Sequence, residues 1–530
     1  MRQVGAQLPC RWDQTNQDFR WVPREAIPLR QVWWLGLLLS LLLAGRVMGA
    51  DAEPGGEAPA WLRQMHRAGA VESETPPISA YEAASPDENV ALRLPSWMAG
   101  VMAGMSEPQI FGLPGWFPRI LGAQATVIDQ GVLPFRSPYR DAKSFKANGD
   151  NQISQTYGLY LGSQLTTRLQ FYFDVEMFQG DGISNATGLG GLTDGDVIRA
   201  GSIQLAKTPY IARAYFRYVF PLSSETELAE RAIDQLHQPE PTRRIEMKLG
   251  RFATNDDFDQ NRYANSTRSQ FLNWSLWNNT AWDFAADTRG FSYGILMAWV
   301  NPTWVLRVGS MMMPTFANGN TMDDHVWNAR GDNVELTLRP ARWGTVVRFL
   351  GYVNQARMGI YRDAITKAQE TGTTPQIAKD DHPGRIKWGI GFNLEQPLAD
   401  EGETGVFARL GWNDGKTETF AFTEVDHLVT GGLQLSGVHW GRPKDVVGTA
   451  YALEGLSPEH RHYLEQGGAG FVLGDGKLNH ALEQIIEVYY RLQLLHYVQT
   501  SFDYQFIQNP GYNRDRGPAH VFAGRIHVSF

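Results

Sequence analysis

Apolar and polar residues alternate with a period of two in run after run of this chain, and this pattern restricts its fold more than any other feature. In the run 169–177 every odd position is apolar, whereas Gln170, Tyr172, Asp174 and Glu176 occupy the even positions. Because successive side chains of a β-strand point to opposite faces, such a run predicts a strand with one apolar and one polar face.

Sixteen runs of this kind follow one another, and most have nine to thirteen residues. This is the length that a tilted strand needs to cross a bilayer. The predicted strands are 120–130, 154–165, 167–180, 209–221, 243–252, 288–300, 302–313, 332–340, 343–355, 384–396, 403–415, 427–437, 446–455, 484–495, 497–508 and 518–530.

The connections between the predicted strands alternate in length. Those after strands 2, 6, 8 and 14 have about one to three residues, whereas those after strands 1, 3, 5, 7, 9 and 13 have roughly twenty to thirty-five. A membrane barrel with both ends in the periplasm has short periplasmic turns and long extracellular loops, which gives this parity. The sequence therefore predicts an all-β protein, a transmembrane antiparallel β-barrel of about 16 strands over residues 119–530, rather than a soluble sandwich.

One even-numbered connection, from Ser223 to Arg244, breaks the parity because it is long. Its sequence Ser224-Glu225-Thr226-Glu227 resembles a helix capping box. A short helix is therefore predicted at Leu222–Leu236.

The composition agrees with a barrel in an outer membrane. Mean hydropathy is only −0.33, as expected when every second residue of a strand faces lipid and the lumen is polar. The 17 tryptophans suit aromatic girdles at the two membrane interfaces. A formal net charge of −8 argues against nucleic acid as a partner.

The N-terminus has the layout of a secretory signal. An apolar run of about thirteen residues, Val32–Ala44, follows several arginines and precedes small residues. This predicts a signal peptide over 1–50, cut after Gly49 or Ala50, and export to the outer membrane of a Gram-negative bacterium.

Residues 51–118 are rich in Pro, Gly, Ala and Glu and show no clean period. They are predicted to be a partly disordered periplasmic segment, with a small plug that enters the pore as the alternative. The single cysteine, Cys10, lies in the predicted signal, so no disulfide and no Cys-ligated metal are expected in the exported protein.

The chain ends on an aromatic residue in its last predicted strand. Phe522, Ile526, Val528 and Phe530 share one face of that strand. Ends of this type resemble the assembly signal of outer-membrane barrels, so the barrel-assembly machinery is expected to recognise Phe530.

Six stretches carry a resemblance to a known family. They are PFRSPY at 134–139, DVEM at 174–177, GRFATNDDFDQNRYANSTRSQFLNWSLWNNTAWDFAADTRG at 250–290, GDGKLN at 474–479, EVYYRLQL at 487–494 and DYQFIQNPGYNRDRGPAHVFAGRIHVSF at 503–530. In their order and spread, over about residues 110–530, they resemble the carbohydrate-selective porin family, the OprB-like porins. The resemblance implies a sixteen-stranded barrel that passes mono- and small oligosaccharides, with arginines and acidic residues at its narrowest point. In place of the family's Trp-Gly-Gly-type opening stands PSWMAGVMAGMSEPQIFGLPGW.

The longest predicted loop, 253–287, is the third external one, and the third loop of porins generally folds inward and sets the bore. Aromatic rings pack against the C–H faces of a pyranose, while carboxylates and guanidinium groups hydrogen-bond its hydroxyls. The candidate constriction residues are Asp256, Asp257, Asp259, Arg262, Arg268, Trp274, Trp277, Trp282 and Asp283. The alternative for the tryptophans is a place in the loop core or the membrane girdle.

Charged residues on the polar faces of the strands are predicted to line the lumen, because charge on the lipid face is costly. A mixture of arginines and acids across a pore creates a transverse field that suits polar neutral solutes. The predicted wall residues are Asp174, Glu176, Arg213, Arg217, Glu246, Lys248, Arg307, Arg348, Arg409 and Arg491.

Metal, cofactor and catalytic motifs fail in detail. Asp257-x-Asp259-x-Asn261 begins like a calcium loop, but Arg262 and Arg268 stand where glycine and glutamate are required. No cofactor or metal is predicted.

The leading hypothesis is a sugar-preferring diffusion channel, with carbohydrate solutes and outer-membrane lipid as its partners. The alternatives are a general or organic-acid-selective porin and, more remotely, a barrel hydrolase or an adhesin. A lipase would need its Ser and His on the lipid face, whereas His527 and Ser529 point to the lumen by parity. The sequence leaves a monomer and a trimer open.

Overall fold

The computed structural model of the protein describes residues 116–197, 205–340 and 344–530. The predicted signal peptide and all but the end of the predicted periplasmic segment lie outside these residues. Within them, no helix combines the length and the apolar character needed to cross a membrane.

The described chain forms a closed antiparallel barrel of sixteen strands, each paired with its neighbours in chain order. This confirms the predicted fold. Its strands are β1 (Arg119–Val132), β2 (Asp150–Gln164), β3 (Leu169–Gly180), β4 (Tyr210–Pro221), β7 (Arg244–Phe252), β8 (Ser292–Asn301), β9 (Trp304–Met312), β10 (Arg330–Leu338), β11 (Val346–Met358), β12 (His382–Ala399), β13 (Thr404–Asn413), β14 (His427–Ser436), β15 (Val446–Gly455), β16 (Glu483–Leu495), β17 (Val498–Gln508) and β18 (Ala519–Ser529). Strands β5 (Thr226–Ala229) and β6 (Gln238–Pro241) form a separate two-stranded sheet.

The first and last strands close the barrel. Their register runs from Gln124 opposite Ser529 to Val132 opposite Val521. Beyond β18, the backbone N–H of Phe530 donates to the Ala123 carbonyl at 3.2 Å, and the Ala123 N–H donates back to Phe530 at 3.2 Å. Closure removes the free edges that would otherwise expose unpaired backbone groups to lipid.

The two faces of the barrel wall differ as the alternation predicts. In β16, Ile486 and Val488 are exposed on the outside, while Glu483 and Glu487 are buried on the inside. Lipid is the environment in which such apolar outer side chains are stable.

Paired tryptophans lie on the outer face at both ends of the barrel. Trp299 and Trp304 flank a tight turn, with ring centroids 5.5 Å apart. Trp388 and Trp412 meet at 4.9 Å, and Trp412 lies at the end of β13. These pairs fit the predicted aromatic girdles at the two membrane interfaces.

The connections confirm the predicted parity. At one end of the barrel the connections are short, at 165–168, 302–303, 339–345, 400–403, 437–445 and 496–497, with 222–243 as the exception. At the other end they are long, at 133–149, 181–209, 253–291, 313–329, 359–381, 414–426, 456–482 and 509–518. By the usual asymmetry of such barrels, the short end faces the periplasm and the long loops face the exterior.

The predicted helix at Leu222–Leu236 is wrong. The exceptional connection, residues 222–243, instead contains the β5–β6 hairpin; we call it the β5–β6 insert. Within it, the Ser223 hydroxyl bonds to the Glu225 carbonyl and the Thr242 hydroxyl. An isolated helix of this length is marginal, so tertiary contacts override the local capping pattern.

Helices occur in the long loops. They are α1 (Trp274–Trp277), α2 (Tyr361–Thr371) and α3 (Pro458–Glu465). Short 3₁₀ turns lie in the long loops at Ile183–Ala186, Thr254–Asp256, Ile377–Asp380 and Pro510–Tyr512, and in the short connections at Asp400–Gly402 and Gly437–Trp440. The helix α3 begins with Ser457 as its N-cap, whose hydroxyl accepts from the His460 N–H at 3.1 Å.

Candidate functional site

Loop 253–291, which we call L3, folds into the barrel. Its backbone N–H groups donate to carboxylates of the inner wall on distant strands: Asp259 to Glu335 of β10 and Leu272 to Glu487 of β16, both at 2.7 Å. Buried backbone groups require partners, and here wall side chains provide them. L3 therefore spans the lumen between opposite parts of the wall.

Asp259 is the central anchor of L3. Its carboxylate accepts hydrogen bonds from Arg409 Nε at 2.9 Å, the Asn279 N–H at 3.0 Å and Asn393 Nδ2 at 2.7 Å. Arg409 also donates to the Ala264 carbonyl at 2.7 Å. Asp259 and Arg409 are both buried, so this predicted pair of constriction and wall residues contacts the loop itself.

The three predicted tryptophans of L3 are packed inside protein. Trp274 stacks on Phe422 with centroids 5.0 Å apart, and Trp277 lies 4.8 Å from Trp274. Trp282 donates through Nε1 to Asn333 at 3.0 Å and is 2% exposed. Their rings present no open face for a sugar, so the loop-core alternative describes where they lie.

Asp283 is also enclosed. Its carboxylate accepts from the backbone N–H groups of Phe420 and Ala421, at 2.9 and 2.7 Å, and lies 3.4 Å from Lys387 Nζ. Burial raises the pKa of Asp283, against the opposing effect of Lys387. This residue ties L3 to loop 414–426.

Four predicted residues of L3 keep contact with solvent, and we call them the open edge of L3. Their side chains are 13% to 23% exposed, in contrast to Asp259 and the tryptophans. They are Asp256, Asp257, Arg262 and Arg268.

Each charge of the open edge is paired with a charge of opposite sign. Asp256 binds Arg213 at 2.7 Å, Asp257 binds Lys248 at 2.8 Å, Arg262 binds Glu403 at 3.1 Å, and Arg268 binds Asp196 at 3.0 Å and Glu176 at 3.3 Å. Burial opposes the ionisation of Asp256, but the Arg213 guanidinium holds the pKa of that carboxyl below its usual range. The open edge therefore presents ion pairs instead of isolated charges.

The other predicted wall residues lie on the inner face in two further groups. Arg307 and Arg348 lie 3.7 and 3.3 Å from Glu335 and Glu395, the carboxylates that also hold L3. Arg491 donates to the Ser269 carbonyl at 3.2 Å, and no acidic partner of it is found in the described part of the chain.

The second group lies toward the short-turn end of the barrel. There Arg217 and Glu246 pair at 2.9 Å, and Asp174 lies beside Arg213 at 3.3 Å.

Sequence reasoning missed several residues of this network. Glu335, Glu395 and Glu487 occupy polar positions of predicted strands, so strand parity could have found them. Asp196 comes from loop 181–209 and Asp234 from the β5–β6 insert. No periodic pattern marks these last two, because their place depends on how their segments fold into the lumen.

Comparison with known proteins identifies the family. A model described as the carbohydrate-selective porin, OprB family, matches residues 159–530, which include L3 and its wall partners. The chain belongs to this family. It is thus an outer-membrane porin for carbohydrates, as the resemblance in the sequence implied.

One solved structure supports the fold of this OprB-family porin. A high-pH structure of Pseudomonas putida OprB is 17% identical, with a TM-score of 0.56 over 78% of this chain and 94% of that chain. The Acinetobacter baumannii channel DcaP is 10% identical, with a TM-score of 0.44 over 78% of this chain and 97% of that chain. No match was found among curated protein sequences.

A pH effect is expected in the loop that supports L3 of this porin. Asp194 is buried, accepts from the Ser154 hydroxyl at 3.1 Å and lies close to Asp196. Burial, with the Asp196 charge, raises the pKa of Asp194 to about 7. A raised pKa means that the folded loop favours the protonated acid, so loop stability is complete at low pH and falls as the pH rises toward 7.

We therefore expect hydrogen-exchange protection factors in 181–197, which correct for the intrinsic pH dependence of amide exchange, to fall between about pH 4 and pH 7 in the native protein. Asp194→Asn should flatten this dependence, because an amide does not ionise. Asp181→Asn, an exposed position in the same loop, is the control that should keep it. Equal pH profiles for native protein and Asp194→Asn would count against the assignment.

Proposed function

We propose that sugars cross this porin by passive diffusion along the open edge of L3, between that edge and the arginine-bearing wall. The observation that carries the proposal is the contrast within L3. One half of the loop is buried against the wall and loop 414–426, while Asp256, Asp257, Arg262 and Arg268 keep solvent contact.

Paired charges suit neutral polyols. Each guanidinium offers up to five N–H donors and each carboxylate offers two acceptor oxygens, so an ion pair can exchange part of its mutual bonding for the hydroxyls of a passing sugar. Because each charge of the open edge already has a partner of opposite sign, an ion gains less by entering than it would beside an isolated charge. The edge therefore favours mono- and small oligosaccharides over charged solutes of similar size.

The enclosed tryptophans take a supporting part in this proposal. Trp274 and Trp282 pack on Phe422, Phe258 and Phe284, which fixes the shape of the buried half of L3. Sugar preference then rests on polar contacts at the edge instead of on ring stacking.

Swelling of liposomes that contain the purified porin tests the proposal. Glucose and maltose should enter faster than amino acids or dicarboxylic acids of equal size. Organic acids that enter at least as fast as the sugars would overturn it and favour the organic-acid porin.

Arg268→Ala should shift ion selectivity toward cations. The change removes the partner of Glu176 and Asp196 and leaves their negative charge in the pore, so we expect the cation-to-anion permeability ratio to rise about twofold. Arg262→Ala should shift it in the same direction, because Glu403 loses its partner.

Reversal potentials across a KCl gradient measure the effect. Arg362→Ala is the matched control, since Arg362 pairs with Glu459 on the exposed surface of the long loops. Selectivity that is equal in Arg268→Ala and in this control would place the conducting path away from the open edge.

A further inference from the structure

The β5–β6 insert extends into the lumen from the short-turn end. Leu236 is 2% exposed and packs into the main apolar cluster. A Cβ on Gly162 of β2 would lie 3.3 Å from Leu236 and 2.9 Å from Leu121 of β1. Both Gly162 and Leu121 face the inside of the barrel, so the insert reaches across β3 along the inner wall.

Charged contacts hold the insert in this position. Glu240 forms a two-point contact with Arg217, at 2.5 and 2.8 Å, and both side chains are buried. Glu227 and Glu240 also lie within 3.4 Å of Arg244 at the start of β7. A two-point carboxylate–guanidinium contact is geometrically specific, so the insert is attached to the wall along much of its length.

The tip of the insert meets L3 at a single arginine. Ala232 and Gln235 pair in a tight turn that carries Asp234, whose φ of 62° is tolerated by aspartate. The Asp234 carboxylate lies 3.2 Å from Arg213 Nε, while Asp256 of L3 lies 2.7 Å from Nη2 of the same guanidinium. Thus Arg213 joins an element from each end of the barrel.

The length of the insert supports a function in the pore. The other connections at this end span 165–168, 302–303, 339–345, 400–403, 437–445 and 496–497, and all are much shorter. Pro221 pairs with Arg244, and the Leu222 N–H bonds to the Arg243 carbonyl at 2.8 Å. A two-residue turn would therefore suffice to connect β4 and β7.

We propose that the β5–β6 insert is a second constriction element, which narrows the periplasmic half of the pore and sets its conductance and upper solute size together with L3. Asp234 adds an acidic side chain to the conducting path at Arg213. This inference rests on the proposed sugar path and adds an upper limit on the size of the solutes that can follow it. Ion currents test the constriction itself, because they can be measured without any sugar.

The direct test replaces residues 223–242 by Asn-Gly, a sequence that favours two-residue hairpins. Single-channel conductance in KCl should rise about twofold, selectivity should move toward anions, and a trisaccharide should enter liposomes faster. Unchanged conductance in a correctly inserted barrel would overturn the proposal.

Cysteine modification tests the same proposal in a full-length barrel, in case the deletion variant fails to assemble. In a Cys10→Ser background, Asp234→Cys should lose conductance when a bulky neutral thiosulfonate reacts with it. Asp181→Cys is the control in a long loop at the other end of the barrel, because Asp181 is 57% exposed and pairs with Lys207; its modification should leave the conductance unchanged. Modified Asp234→Cys with unchanged current would overturn the proposal.

The outcomes separate this inference from the proposed function. If the variant without residues 223–242 has a higher ion conductance, but the native porin shows no preference for sugars, the second constriction is supported and the sugar path is rejected. Preference for sugars with no effect of the insert would do the reverse.

Discussion

Asp259→Ala is expected to raise the single-channel conductance about two- to threefold and to abolish the preference for sugars. The Asp259 carboxylate accepts from Arg409, Asn279 and Asn393. Its loss leaves Arg409 buried without a carboxylate partner, which costs roughly 3–5 kcal/mol for a buried pair. That cost falls on L3, while the strand ladder is unaffected, so L3 should detach from the wall in a barrel that still inserts.

Planar-bilayer recordings of the purified variant measure this effect. Asp381→Ala is the matched control, because Asp381 pairs with the exposed Arg357 at 3.4 Å in the long loops. It should retain the native conductance. If Asp259→Ala inserts normally and conducts like the control, L3 is held by other contacts and Asp259 is not its anchor.

Deletion of Phe530 is expected to lower the amount of porin in the outer membrane about tenfold, although it changes the folded barrel little. In the structure Phe530 contributes two backbone hydrogen bonds with Ala123, each worth about 1 kcal/mol. This is a small part of a closed barrel of sixteen strands. A large loss would therefore arise during assembly, where we expect the terminal aromatic residue to be recognised.

Two measurements separate recognition from stability. The truncated chain should refold in detergent with a heat-unfolding temperature close to that of the native protein, yet it should be degraded in cells. Phe530→Tyr keeps the terminal aromatic ring and should assemble normally. Normal outer-membrane levels of the truncated chain would show that the terminal residue is not part of the assembly signal.

The local alternation of apolar and polar residues was sufficient to predict the strands of the barrel wall. In β16, for example, the alternation of Glu487 with Ile486 and Val488 decides which residues face lipid, because a one-residue shift would expose every charge to the bilayer. The same argument predicts the sixteen strands of the barrel, and five of the predicted wall residues are buried instead of exposed to lipid: Asp174, Glu176, Arg217, Arg348 and Arg409. Parity needs no knowledge of distant contacts.

The arrangement of the side chains inside the lumen could not be predicted from the local alternation of residue types. L3 has no sustained periodicity, and the three tryptophans that suggested a sugar platform are covered by Phe422 and its neighbours. Asp257 and Asp259 are two residues apart, yet one remains partly exposed and the other is buried. The difference comes from their partners, because Asp259 is enclosed with Arg409, which lies 150 residues away in the sequence, whereas Asp257 pairs with Lys248, only nine residues away.

The β5–β6 insert, at the other end of the barrel, is a second segment whose structure could not be predicted from local sequence. Its Ser224–Glu227 stretch indicated a helix, but the pairing of Glu240 with Arg217 and the packing of Leu236 favour a hairpin inside the wall. The sequence by itself thus determined the barrel, its strand number and which side chains face lipid, since these follow from a period-two repeat. Only the tertiary structure decided which charges stay open in the pore, because that depends on loops that enter the lumen from both ends and on the wall residues that satisfy them.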